Sequence, residues 1–453
     1  MDLTAITTVL ERMRGKGSDS AVISHGTTTS YDELCSNIEV WKRRLGDYRI
    51  GQGSIVAVYG DYDRETIAVF FALMELRAIA VPLTPTIKPE IPGFLEIAQA
   101  QFMIVVEPSG EWSCESLSAD STPPLIERFL PQQHPGLIVF TSGSTGKPKG
   151  ILHDGERVMQ KFVTERPGWR TILFLLMDHF GGMNTLYGTF AYGGVALCPD
   201  QRSPDTVCAL IEKGQATLLP TTPTFLNLII ASGAWRKYDL TSLRLITYGT
   251  ELMNESTLSK VREIFPNVTV KQTYGLSEIG VVRSKSDTSD SVWVKIGGQG
   301  FDTRIVDGLL WIKSEANMVG YLNADSPFDE DGWLCTGDRV EQKGEHVRFL
   351  GRETEAINVG GQKLFPAEVE EVLLSDENVA EAAVYGIPHP VLGKAVAARV
   401  TLLEIEDEKP LLRRLKMTCK ERLQKYKVPM KIKVVEPSDQ YSERFKKLRK
   451  VEQ

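Results

Sequence analysis

Residues 141–150, Thr-Ser-Gly-Ser-Thr-Gly-Lys-Pro-Lys-Gly, gather hydroxyls, bare backbone and two cations in one decapeptide. That mixture suits the oxygen-rich surface of a polyphosphate. Gly143 and Gly146 let backbone N–H groups approach a ligand closely. Ser142, Ser144 and Thr145 add hydroxyl donors, and Lys147 and Lys149 add positive charge. The apolar run just before, 137–140 (Leu-Ile-Val-Phe), reads as a short buried strand, so the decapeptide should be a loop leaving a strand. The spacing is not that of the ordinary P-loop, whose lysine opens a helix. Here Pro148 follows Lys147, removes a donor and biases the lysine away from helix.

Further segments follow in order: Ser30-Tyr31-Asp32-Glu33-Leu34, Tyr274-Gly275-Leu276-Ser277-Glu278, Gly332-Trp333-Leu334-Cys335-Thr336-Gly337-Asp338, Gly351-Arg352 with Ile357-Asn358-Val359-Gly360-Gly361, and Tyr426-Lys427-Val428-Pro429. Together with the decapeptide they resemble the motif series of the acyl-adenylate-forming superfamily. That superfamily includes acyl- and aryl-CoA ligases, luciferases and the adenylation domains of nonribosomal peptide synthetases. The resemblance covers nearly the whole chain. It implies an α/β fold with a large multi-sheet N-terminal domain of βα units, residues 1–351, and a small α+β C-terminal lid, residues 352–453, joined by a hinge.

It also implies a reaction. A carboxylate is a poor acyl donor because its leaving group would be an oxide. Attack of the carboxylate on the α-phosphorus of ATP gives an acyl adenylate and pyrophosphate, and AMP becomes the leaving group. Negative charge collects on phosphate oxygens, so catalysis rests on positioning and cations. By resemblance, Thr141, Ser142, Gly143, Ser144, Thr145, Gly146 and Lys149 should hold the β- and γ-phosphates. Glu278, with Thr145, should hold Mg²⁺, a hard cation that takes oxygen ligands. Asp338 should bind the ribose hydroxyls and Arg352 the ribose or a phosphate. Gly249-Thr250-Glu251, Tyr274 and Ser277 should surround the adenine side, with Thr250 standing where the family has glycine. Each also has a plainer reading: Glu278 as a surface carboxylate, Asp338 as a turn residue, Arg352 as a hinge ion pair, Tyr274 as a core aromatic.

At the acid end, Met177-Asp178-His179-Phe180-Gly181-Gly182 resembles the H-x-G-G stretch beside the substrate carboxyl. His179 would abut that carboxyl, unless it is a core histidine held by Asp178. Phe180, Met183, Tyr248, Gly275 and Gly280 should line the pocket. Amino-acid-activating members carry an aspartate where Phe180 stands, and a buried ammonium without it would be costly. An aromatic or aliphatic acid is therefore expected rather than an α-amino acid; Asp178, one residue out of register, is the rival reading.

In the lid, Phe445-Lys446-Lys447-Leu448-Arg449 resembles the terminal G-K-x-x-R pattern with Phe445 in place of glycine. Lys446 would bridge the substrate carboxylate and the α-phosphate, with Lys447 as the alternative. Gly361 should line a tunnel for the thiol and Lys363 should approach a CoA phosphate. Thr354 replaces the usual hinge Asp or Lys. The acceptor is expected to be CoA or a carrier-protein phosphopantetheine arm, supplied in trans. The alternatives are an amide-forming ligase using the same adenylate and a non-catalytic ATP-binding homologue. Gly297-Gly298-Gln299-Gly300 falls short of a dinucleotide fingerprint.

These groups need a scaffold, and 453 residues are enough for more than one domain. A net charge of −7 argues against general nucleic-acid binding. No apolar run is long enough to span a membrane, no secretory leader opens the chain, and six scattered cysteines fit reduced thiols, so a cytoplasmic protein is expected. Residues 54–59, 64–79 and 80–83 read as strand, helix and strand, the grammar of a parallel sheet. Similar units fall at 195–231 and 243–265. A hairpin should turn at Asp307-Gly308, and 107–123 reads as a loop. In the lid, a helix is expected to start at Pro366, strands at 380–387, 395–403 and 432–435, and a second helix at 408–425.

Overall fold

Short apolar strands alternating with amphipathic helices produce two seven-stranded sheets in the computed structural model. The structure describes residues 4–119, 121–142, 147–282, 284–286, 288, 291–298, 300–436, 441 and 447, and only the backbone of Ser142. The strand Ile55–Tyr59 pairs in parallel with Ile79–Leu83, and the helix Arg64–Glu75 connects them. That helix starts where Asp63 accepts the Thr66 N–H at 2.7 Å. It ends earlier than the apolar spacing predicts, because Arg77 adopts a positive φ of 55° that turns the chain into the next strand. The sheet continues on one side through Gly136–Ser142 and Pro148–Asp154, on the other through Phe102–Val106.

The segment 107–123 is not all loop. Trp112–Ser116 forms an edge strand antiparallel to Phe102–Val106. Its polar composition hides the cause, which is aromatic docking: Trp112 meets Trp41 edge-on at 5.0 Å between ring centroids.

The other seven-stranded sheet runs Thr269–Gln272, Leu245–Tyr248, Leu218–Thr221, Arg170–Ile172, Val195–Leu197 and Ser20–Ser24, all parallel, closed by antiparallel Thr27–Ser30. Helices Tyr31–Asp47, Arg64–Glu75 and Phe180–Ala191 share one buried cluster with strands of both sheets, and so lie between them. Phe71 and Phe190 meet there edge-to-face at 5.4 Å. The motif at 30–34 belongs to this interface. Ser30 accepts the Glu33 N–H at 3.2 Å while Glu33 accepts the Ser30 N–H at 2.7 Å, a capping box that starts helix Tyr31–Asp47. Tyr31, fully buried, donates to the Gly194 carbonyl at 2.7 Å.

A six-stranded antiparallel sheet follows. Its hairpin of Phe301–Val306 and Leu309–Ser314 turns at Asp307 and Gly308, whose φ values of 52° and 75° are the two positive angles a type I′ turn needs. The last sheet has its own core. Val379–His389 and Gly393–Leu402 form a long antiparallel ladder, flanked by Ile357–Val359 with Gln362–Leu364 and by Lys431–Val434. Helices Pro366–Leu374 and Glu408–Arg422 cover one face through Val369, Leu373, Leu411 and Leu415. The second helix stops at Arg422, short of 425. A 3₁₀ turn, Lys425–Lys427, carries the chain to Val428-Pro429, where the proline disfavours helix in the residue before it.

Removing the Ser30 hydroxyl with Ser30→Ala should lower the unfolding free energy of the N-terminal sheets by about 1 kcal/mol. Urea denaturation followed by circular dichroism is the check, and an unchanged midpoint would show that the cap carries no stability.

Candidate active site

Strands Gly136–Ser142 and Pro148–Asp154 form an antiparallel hairpin with Thr141 opposite Lys149 and Ser142 opposite Pro148. The lysine before the proline enters a strand, not a helix. Gly143, Ser144, Thr145 and Gly146, at the hairpin's end, lie outside the described residues, as does the Ser142 side chain. Next to the hairpin runs Gly320–Tyr321, paired with Leu152 and Ile151. The Lys149 ammonium sits 4.7 Å from the centroid of the Tyr321 ring. The Tyr321 hydroxyl donates to Glu278 Oε1 at 2.7 Å. Burial and the Glu278 charge raise the Tyr321 pKa, so it stays a donor. Among the described residues Tyr321 is the one hydrogen-bond partner of the Glu278 carboxylate, which leaves Oε2 for a cation. One carboxylate near the Lys149 ammonium fits Mg²⁺, which takes few protein ligands and completes its shell with phosphate oxygen and water.

The nucleotide-side residues close into a second cluster. Tyr274 donates to Asp338 Oδ2 at 2.5 Å, and Arg352 Nε donates to Asp338 Oδ1 at 3.2 Å. Asp338 is 8% exposed. Burial raises its pKa, opposed first by the Arg352 charge and then by the Tyr274 hydrogen bond. Arg352 is thus the ion-pair residue of the plainer reading, and the Asp338 carboxylate already has two partners. Tyr274 stacks on Phe349 at 4.7 Å with 16° between the rings, so a protein aromatic covers one face of it. The two clusters are joined through the chain, because Glu278 lies four residues beyond Tyr274. Thr250 keeps a left-handed φ of 68° where the family has glycine. Glu251 accepts the Thr224 hydroxyl at 2.6 Å. A Cβ on Gly275 would come within 2.6 Å of the Gly280 carbonyl, which explains the bare backbone there.

At the acid end, His179 is the N-cap of helix Phe180–Ala191 and is half-buried. Asp178 is buried and accepts the Thr84 hydroxyl at 3.0 Å. Phe180 lies against Gly280, and Met183 is wholly buried in the same core cluster as Phe180. Tyr248 belongs to a different core cluster, with Phe174 and Phe225. Sequence reasoning missed two neighbours of Phe180. His153 stacks obliquely on it at 4.4 Å, and the Lys161 ammonium stands 5.9 Å from its centroid. Burial pushes His153 down to about 3 and Lys161 down to about 8. Neither residue carries a motif that could have marked it.

The lid reaches this surface through several contacts. Asn227 donates to Glu381 at 2.8 Å. Glu371 accepts the N–H groups of Glu255 and Ser256 at 2.9 and 3.0 Å. Lys447 donates its N–H to Glu251 at 2.6 Å and pairs its ammonium with Glu381 at 2.7 Å and Glu370 at 3.5 Å. Lys446 lies outside the described residues. Gly361 occupies an exposed turn with φ 87°, donating to Asn358 Oδ1 at 2.9 Å, and Lys363 pairs with Glu353. A cavity of about 360 Å³ opens between lid and N-terminal sheets beside Met253, Gln272, Arg348, Phe349 and Lys427.

This arrangement has known counterparts. The family model for AMP-binding enzymes matches residues 9–322, and that for the AMP-binding enzyme C-terminal domain matches 368–441. The chain belongs to the AMP-binding enzyme family. It is 24% identical over 453 residues to the 2-succinylbenzoate–CoA ligase of Listeria monocytogenes, covering 94% of each chain. It is 28% identical over 462 residues to a medium/long-chain-fatty-acid–[acyl-carrier-protein] ligase of Mycobacterium tuberculosis, covering 88% of this chain and 85% of that one. A solved anthranilate CoA ligase with bound anthranoyl-AMP shares the fold with a TM-score of 0.81 at 20% identity, over 96% of this chain and 94% of that one.

Tyr274→Phe removes one of the two partners of a buried carboxylate and should cost about 1–3 kcal/mol of stability. Chemical denaturation measures this, and a variant as stable as the parent would show that the Tyr274–Asp338 contact is energetically idle.

Proposed function

We propose that this enzyme activates an aromatic or aliphatic carboxylic acid, not an α-amino acid, as its acyl adenylate and passes the acyl group to the thiol of CoA or of a carrier-protein phosphopantetheine arm. One observation carries the reading. Lys149, Tyr321 and Glu278 form one polar chain, Tyr274, Asp338 and Arg352 form another, and Glu278 lies only four residues beyond Tyr274. Cation, carboxylate and sugar-binding groups thus border one place, as a bound ATP requires.

In this reading the loop 141–146 and Lys149 hold the β- and γ-phosphates. Mg²⁺ held by Glu278 and Thr145 would neutralise charge that builds on the phosphates as pyrophosphate leaves. Tyr321 orients Glu278 by filling its other oxygen. Asp338, fixed by Tyr274 and Arg352, faces the ribose, and the 249–251 turn borders the adenine. His179, at the start of its helix, meets the reacting carboxyl. Relatives named for aromatic and for fatty acids support this substrate range. The Lys161 ammonium near Phe180 argues further against an α-amino acid, because it would repel the substrate's own ammonium.

The lid, residues 352–453, would rotate about the 352–354 hinge between adenylation and transfer, bringing Gly361 and Lys363 to the thiol. Lys446 is the lysine proposed to bridge carboxylate and α-phosphate. The support is that its neighbour is already committed, since the Lys447 ammonium is held by Glu381 and Glu370.

Acid-dependent ATP–pyrophosphate exchange with magnesium is expected across a panel of aryl and alkyl acids, with AMP release when CoA or a carrier protein is added. Exchange restricted to α-amino acids would refute the substrate class, and no exchange with any acid would refute the activity. Lys446→Ala should lose roughly 10²–10³-fold in adenylate formation with unchanged folding. A parent-like Lys446→Ala together with a dead Lys447→Ala would move the role by one residue.

A further inference from the structure

Helix Phe180–Ala191 carries Phe180, Asn184 and Gly188 at intervals of four, so they share one face. A Cβ on Gly188 would come within 3.1 Å of the Phe162 ring, so the adjoining segment packs against that face. Lys161 lies in this gap. Its ammonium donates to Asn184 Oδ1 and stands 5.1 Å from the Phe162 centroid and 5.9 Å from that of Phe180. Among the described residues no carboxylate pairs with it. His153, 1% exposed, also packs on Phe180, with 4.4 Å between the ring centroids. It has a hydrogen bond to the Ser277 backbone, but its Nε2 is buried without a partner among the described residues.

A part-buried ammonium with a single neutral partner is costly, and an apolar side chain of similar length would fill the same space at less cost. Burial depresses the pKa of both Lys161 and His153, and the Lys161 charge depresses His153 further. Both cationic forms are held back for want of a counter-ion, and one carboxylate between them would favour both.

We propose that Lys161, with Asn184 and His153, forms the distal end of the acid pocket and binds a second carboxylate, so that the preferred substrate is a dicarboxylic acid. The inference rests on the reading that the reacting carboxyl sits at His179. Asn184 is five residues further along the helix. At 1.5 Å per residue this places the distal group about 7.5 Å deeper, the reach of a medium-length α,ω-diacid or a benzene ring with two acidic arms.

Pyrophosphate exchange with matched pairs tests this: heptanoate against pimelate, and phenylacetate against 1,4-phenylenediacetate. The diacid of each pair should be preferred by about 10²-fold in kcat/KM, because only it pairs the part-buried cation. Lys161→Met should abolish that preference mainly by raising KM for the diacids, and Lys161→Arg should retain it. Monoacids used as well as diacids by the parent, or an equal loss of both in Lys161→Met, would overturn the inference and leave acid activation standing. A parent that exchanges pyrophosphate with no acid at all removes the underlying reading, and this one with it.

Discussion

The site depends on one buried carboxylate. Asp338 lies in the six-stranded sheet, takes a hydrogen bond from Tyr274 on the neighbouring two-stranded ladder, and takes another from Arg352 on the last strand before the lid. A lone anion at that depth would cost several kcal/mol. Its two donors turn that liability into a fixed geometry for three segments distant in sequence. The backbone reinforces it, since Asp338 and Arg352 are also cross-strand partners. Glu278 inherits its position from the same construction, four residues beyond Tyr274.

The helix between the two large sheets plays the corresponding part for the acid. In the proposed reading its N-cap, His179, and its first residue, Phe180, face the chemistry, while Asn184 and Gly188 share a face with Phe180. Polar reaction groups and a mostly apolar pocket can then coexist, because helix and sheets meet in one large core. Lys161 and His153 are the exceptions in that apolar setting, and the proposed second carboxylate would meet them there.

Much of this was legible in the sequence wherever a local rule governs. The strand–helix–strand unit over 54–83, the Asp307-Gly308 turn and the lid's element order follow from apolar spacing and turn chemistry. The motif residues Glu278, Tyr274, Asp338 and Arg352 could be named from their order alone. What could not be read are contacts made across the fold. Trp112 forms a strand because Trp41 receives it, and a serine- and glutamate-rich context gives no hint of that. Tyr321 reaches Glu278 from 43 residues away. Lys161 looks like an ordinary helix-end lysine until Phe162, Phe180 and Asn184 are folded around it. Helix ends were also misjudged, because Arg77 turns left-handed and Leu423 turns extended, stopping helices by backbone geometry rather than by loss of apolar spacing.

Glu371 gives the lid a further consequence. Helix Glu255–Ile264 begins without a side-chain cap of its own, since Asn254 provides none. Its first amides are instead satisfied by a glutamate on the other domain. The positive end of that helix is therefore finished only while the lid is seated here. A departing lid takes the terminating anion with it, and water must bind the two exposed N–H groups before the helix regains a complete first turn. Secondary structure in one domain thus registers the position of the other, and fraying at Glu255 and Ser256 is the local signature of an undocked lid.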